Sequence, residues 1–99
     1  MTTNYLTSLL TSDEEYKKRI AWSKTAAAVG LPDVRVDCDG RFIKWSEYGK
    51  LSEFGWEIDH IHATILGGPD TPDNTRARHW RGNRSAGGIL GGLLGNGSR

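Results

Sequence analysis

Between Trp56 and Ser85 the chain reads WEIDHIHATILGGPDTPDNTRARHWRGNRS, and no other stretch limits the fold so tightly. Trp56 to Ile61 has the make-up of a strand, with Gly55 before it. Gly67-Gly68-Pro69 and Pro72 then supply strong turn signals. Thr75 to Arg78 suits a brief second strand, and His79 to Ala86 a short helix. A strand, loop, strand and helix in that order predict a hairpin with a helix folded back across it.

Upstream, Ser12-Asp13-Glu14-Glu15 has the form of a capping box, in which Ser12 and Glu15 exchange side-chain-to-amide hydrogen bonds. Tyr16, Ile20 and Ala27, flanked by Trp22, Ala26 and Val29, recur at helical spacing up to Gly30 and Pro32. The expectation is a helix over 13–29. Residues 31–39 read as an irregular connection and Arg41 to Trp45 as a short strand. The final thirteen residues, GGILGGLLGNGSR, hold six glycines, a density that opposes helix. The chain therefore divides into a flexible arm (1–11), a single domain (12–87, with its motif core at 54–86) and a Gly-rich tail (88–99).

Ninety-nine residues support one thin core. At this size folding removes only about 60–65% of the unfolded surface from water. Trp22, Trp45, Trp56 and Trp80 are the natural material for that core, since each ring buries about 150–250 Å². A base-stacking role is the alternative. One cysteine, Cys38, excludes a disulfide framework and any zinc site built on four cysteines or paired CxxC motifs. No apolar run approaches the roughly 18 residues of a membrane span. The opening MTTNYLTSLLT lacks the basic region of a secretory signal. These features predict a soluble, cytoplasmic domain with no membrane partner.

The net charge of +1 conceals an asymmetry. From Thr75 onward there are five arginines and no acid, whereas the first 74 residues carry eight basic and twelve acidic groups, a balance of −4. A concentrated arginine segment has the footprint of phosphate binding. The competing reading is a solvated charged face that balances the acidic half. Arg81 and Arg84 are helical neighbours, and with Arg78 they are the candidate phosphate contacts. Arg76 stands evenly between the two readings.

Four residues carry the chemistry. Asp59 and His60 are adjacent, Asn74 follows fourteen residues after His60, and Asn83 nine further on. A carboxylate and an amide oxygen are hard ligands that suit Mg²⁺ better than zinc. An imidazole takes a proton from water near neutral pH. Neighbours on a regular strand point to opposite faces, so a site using both Asp59 and His60 requires that the chain leave regular strand geometry there or that the site straddle the end of the strand.

At these residues the sequence resembles the HNH endonuclease family, in the variant whose third motif residue is Asn. The likeness extends upstream through RVDCDGRFIKWSEYG and FGWEIDHI, similar to a phage-type and bacterial subfamily, and downstream through RHWRGNRS. It covers about Arg35 to Ser85. It implies an α+β fold, a small ββα-metal nuclease domain with an N-terminal helix. It also implies Mg²⁺-dependent hydrolysis of DNA phosphodiesters, leaving 5′-phosphate and 3′-hydroxyl ends, with Mn²⁺ or another divalent ion able to substitute. On this resemblance His60 is the general base, Asp59 and Asn83 hold one divalent metal, and Asn74 braces the hairpin loop and orients the histidine. Such a nuclease acts alone or with a larger phage or bacterial protein, and a phage or prophage origin follows from the subfamily.

The chain departs from the family pattern at Ala63, where Pro is usual, at Thr75, where Leu is usual, and at Ala86-Gly87-Gly88, where Lys-Gly and an acid are usual. The structural zinc of many relatives is not expected here. His79, four residues before Asn83, either joins the site or is a packed histidine at the start of a helix. His62, two residues beyond His60, either flanks the cleft or is a surface histidine, the second being the simpler reading. Two other functions compete with the enzyme: a DNA-binding module that keeps the nuclease fold without turnover, and an assembly subunit that docks through its Gly/Leu tail.

Overall fold

The computed structural model describes the backbone of residues 2–93 and the side-chain surroundings of residues 13–87. It is an α+β arrangement of two helices and two small antiparallel sheets. Helix α1 spans Thr2–Ser23. It is followed by strands β1 (Ala26–Ala28), β2 (Leu31–Val36) and β3 (Phe42–Lys44), which form one sheet in that order. Strands β4 (Trp56–His60) and β5 (Thr75–His79) form the second sheet, and helix α2 (Trp80–Leu93) follows directly. No helix among the described residues is long and apolar enough to cross a membrane.

The hairpin and the helix after it fall where the sequence pattern puts them. Elsewhere four expectations are corrected. The segment expected as a loose arm is helical from Thr2, in keeping with the helical spacing of Leu6, Leu9 and Leu10 and the lack of Gly or Pro. The helix also stops at Ser23 instead of continuing to residue 29. Ser23 Oγ and Thr25 Oγ1 donate to the carbonyls of Ile20 and Trp22 at 2.6 Å each, satisfying groups that the helix end leaves over. Arg35 then clamps Thr25 at both its hydroxyl (2.9 Å) and its carbonyl (2.7 Å). Ala26 and Ala27 are exposed, so a further helical turn would bury little there, and pairing with β2 overrides alanine's helix propensity.

Residues 31–36 form a strand in place of the expected connection, with β-branched Val34 buried. The fourth correction concerns the glycines after residue 86. Helix α2 runs on to Leu93, extending from a turn already formed at Trp80, and elongation adds a hydrogen bond for each residue fixed. Tail residues 94–99, Arg99 among them, lie outside the described residues.

The core consists of Ala21, Ile43, Trp56 and Ala77, with Trp22, Trp45, Tyr48 and Ile58 packed against it. The rings of Trp22, Trp45 and Trp56 lie 5.1–5.7 Å apart in tilted and edge-on contacts. Trp80 stands apart and half-buried, its indole N–H bonded to the Ser52 carbonyl at 2.7 Å. Lys24, just past α1, donates to the carbonyls of Pro72 (2.8 Å), Asp73 (3.2 Å) and Thr75 (2.6 Å), which fixes that end of the helix to the start of β5.

One buried carboxylate joins the two sheets. Asp37, at the end of β2, accepts the amides of Asp39 (2.9 Å) and Arg41 (2.8 Å) on one oxygen. Its other oxygen accepts the buried amide of His79 at 2.8 Å. Removing it leaves the buried His79 amide without an acceptor, which costs about 1–3 kcal/mol, and also takes the side-chain acceptor from the more exposed amides of Asp39 and Arg41. Asp37→Ala is therefore expected to lower stability by about 3 kcal/mol in urea denaturation, while Asp33→Ala, at an exposed position of the same strand, changes it by less than about 0.5 kcal/mol.

Candidate functional site

The β4–β5 hairpin has two chemically different faces. Its register runs without interruption from Trp56↔His79 to His60↔Thr75. Alternation along the strands puts Trp56, Ile58 and His60 with His79, Ala77 and Thr75 on the face toward α1 and the core. Glu57 and Asp59 share the opposite, outer face with Arg78 and Arg76.

The outer face is a chain of ion pairs. Arg76 Nε donates to Asp59 Oδ2 at 2.8 Å, and Arg78 Nη1 lies 3.5 Å from the same oxygen. Arg78 also makes a two-point contact with Asp39, at 2.7 and 3.1 Å. That hydrogen bond holds the Asp39 carboxyl below the usual carboxylate range and raises the Arg78 guanidinium. Helix α2 closes over this face. Gly82 makes the approach possible, since a Cβ there would stand 2.4 Å from Asp39 Oδ2 and 2.9 Å from Arg41 Nη1. The next two residues reach the same strand: Asn83 Nδ2 donates to Glu57 Oε1 at 2.9 Å and Arg84 Nη2 to Glu57 Oε2 at 2.7 Å. Burial pushes the Glu57 carboxyl up, but the bonds from Arg84 and Asn83 outweigh it and its pKa is lowered.

Asn83 and Asp59, the expected metal ligands, thus belong to one face, linked through Glu57 two residues before Asp59. Their oxygens are hard donors, in keeping with a cation that retains most of its water. Asn83 commits its Nδ2 to Glu57, which leaves Oδ1 as the amide's remaining polar atom. The carboxylate of Asp59 is shared with two guanidinium groups. Among the described residues no group of three or more His, Cys, Asp or Glu is arranged to hold a metal ion.

His60 has other company. Its Nε2 is 2.9 Å from Asp70 Oδ1, and the second oxygen of Asp70 accepts from Lys17 Nζ of α1 at 3.1 Å. Those two bonds hold the Asp70 carboxyl low, and Asp70 in turn raises the Lys17 ammonium. Because β4 stays regular through His60, the imidazole and the Asp59 carboxylate leave the strand on opposite faces. Asn74 braces the loop between β4 and β5. Its side chain accepts from the His62 amide (2.9 Å) and donates to the carbonyls of His62 (2.9 Å) and Pro69 (2.8 Å). The same loop needs glycine at 68, where a Cβ would collide with the His62 carbonyl oxygen at 1.8 Å.

The remaining candidates resolve differently. His79 is buried, with Nε2 2.7 Å from the Glu53 carbonyl and Nδ1 accepting the Arg81 amide at 3.1 Å. Both ring nitrogens are engaged, so it is the packed histidine and not a member of the site. His62 is exposed. Arg78 and Arg84 are not bare phosphate contacts: each is paired with an acid of the preceding chain, as is Arg76. Arg81 is exposed and stacks its guanidinium 4.4 Å from the Trp80 ring. Sequence reasoning missed Glu57, although its two-residue spacing from Asp59 was a usable signal. It also missed Asp39, Asp70 and Lys17, which reach their partners from distant turns and from α1, where no local pattern marks them.

Comparison with protein-family models, curated proteins and solved structures finds no match to the chain.

The lowered carboxyls of Asp39 and Glu57 set a pH dependence. Each has a lower pKa folded than unfolded, so the unfolded chain binds more protons in the interval between the two values, and stability rises with pH there. The contribution is fully present above the ordinary carboxylate range and is lost as pH falls through the lowered values. The melting temperature should hold from about pH 7 to 5 and drop below about pH 4. The drop should be smaller in Asp39→Asn, as read by thermal denaturation across that range.

Proposed function

We propose that the chain is a divalent-metal-dependent DNA endonuclease of the HNH type, with β4, β5 and α2 as its ββα-metal unit. One observation carries the reading: α2 folds back over the hairpin so that Asn83 bonds Glu57, beside Asp59 on the same strand face. Asp59 and Asn83 would hold the ion, most naturally Mg²⁺. When bound, it would stabilise charge on the scissile phosphate and on the departing 3′ oxygen.

The chain's own residues supply the rest. His60, at the last position of β4, takes the proton of the attacking water on its Nδ1, since Nε2 is directed at Asp70. Asn74 holds the loop that follows His60. Arg81 offers an exposed guanidinium to the DNA backbone, and Arg78 and Arg84 can exchange carboxylate for phosphate, a ligand of similar geometry. Such contacts fix register on the duplex and read little sequence. DNA is the partner, with or without a larger phage or bacterial protein.

A DNA-binding module without turnover is the second reading, and one feature favours it: the Asp59 carboxylate is already held by Arg76 and Arg78. Nicking of supercoiled plasmid in Mg²⁺, Mn²⁺ or EDTA separates the two. The nuclease reading expects metal-dependent nicking that falls about 10²–10⁴-fold in His60→Ala with DNA binding unchanged. Asn83→Ala should raise the Mg²⁺ concentration needed. A gel shift that survives EDTA, with no nicking in any metal, would instead establish the binding module.

A further inference from the structure

His60 is the last residue of β4, and about a quarter of its side chain is exposed. A histidine that is to accept a proton on one nitrogen needs the other nitrogen's proton held in place, which fixes both the tautomer and the plane of the ring. Asp70 stands where that requirement is met. Its Oδ1 lies 2.9 Å from His60 Nε2, and among the described residues Nδ1 has no hydrogen-bond partner.

We propose that Asp70 is the positioning residue of His60: it accepts the Nε2 proton, fixes the imidazole in the Nε2–H tautomer and so leaves the lone pair of Nδ1 to take a proton from water. The inference rests on the nuclease reading for its use in catalysis, but not for the geometry.

Two groups hold the Asp70 carboxylate, which is itself largely exposed. Its Oδ2 accepts from Lys17 on α1 at 3.1 Å, so Asp70 is held from two sides by groups on different elements. Next to it, the Pro69 carbonyl accepts from Asn74 Nδ2 at 2.8 Å, and the Asn74 amide donates to the Thr71 carbonyl at 2.9 Å. Asn74 touches no atom of the His60 ring in this network. It acts on the histidine through the loop that delivers Asp70, and Ile61, next to His60, donates its amide to the Asn74 carbonyl at 2.7 Å.

Two readouts test the assignment on the full chain, and urea midpoints verify that each variant is folded. The first is the ¹⁵N spectrum of the His60 ring at pH 8.5. The wild-type protein should have one tautomer, Nε2–H. Asp70→Ala should have both in exchange, and Asp70→Asn, whose amide can donate to Nε2, should shift toward Nδ1–H. Lys17→Met removes only the outer support and should keep Nε2–H. The second readout is plasmid cleavage, where Asp70→Ala should lower kcat by about tenfold to a hundredfold with KM unchanged, a part of what a general base contributes. In a His60→Ala background the same substitution should have no further effect.

Identical tautomer populations in wild type and Asp70→Ala would overturn the proposal. So would an unchanged kcat in Asp70→Ala when wild-type cleavage depends on His60. A wild-type chain that cleaves no DNA in any metal would defeat the nuclease reading by itself, and the ¹⁵N spectra would still decide whether Asp70 fixes the ring.

Discussion

The carboxylate of Asp37 is the contact on which the rest of the architecture depends. It is buried, and its oxygens take three backbone amides from two places far apart in sequence: the β2–β3 turn and the last residue of β5. A carboxylate so used is worth more than a neutral acceptor, because hydrogen bonds to charged groups are the stronger kind. The same contact sets position. By fixing the turn against the β5–α2 junction it brings Asp39 to Arg78 and the start of α2 to the outer face of the hairpin. Gly82 then allows the helix to come close enough for Asn83 and Arg84 to reach Glu57.

That geometry changes the meaning of the charge asymmetry. The arginines after residue 74 look in sequence like an unbalanced positive segment, yet three of them fold back onto acids of the preceding chain. The pairs are unequal. Arg84 is more than half exposed, and an ion pair in water contributes about 0–1 kcal/mol, so its contact with Glu57 adds little to stability. The pair between Arg76 and Asp59 is more sheltered, with the aspartate only 13% exposed. Any ligand of Asp59 has to displace a better-held partner there than a ligand of Arg84 does.

How much of this was legible in the sequence follows from the range of each signal. Alternating residues and the Gly-Gly-Pro loop were readable because period and turn chemistry are local, whereas of the four tryptophans expected in the core Trp80 stands apart from the cluster of the other three. The bracing role expected of Asn74 matches its bonds to His62 and Pro69. By contrast, three alanines that prefer a helix became β1, because a clamp from Arg35 and a neighbouring strand decided the matter. Asp70 lies in a loop as an ordinary turn residue. Its importance comes only from the side chains of β4 and α1 that meet it, and no window of sequence contains all three.

The two-residue period of β4 leaves a constraint that the surrounding structure has to answer. Asp59 and His60 are adjacent, so a regular strand sends one to the face under α2 and the other to the face under α1. Each has accordingly acquired its own support: Arg76 and Arg78 for the carboxylate, Asp70 and Lys17 for the imidazole. In a regular strand the two groups come nearest to a common ligand at the loop end of the hairpin, where β4 stops at His60. Asn74 sits at that end and ties the loop across it. Its three side-chain bonds brace the loop that follows His60, although it meets neither the Asp59 carboxylate nor the His60 ring.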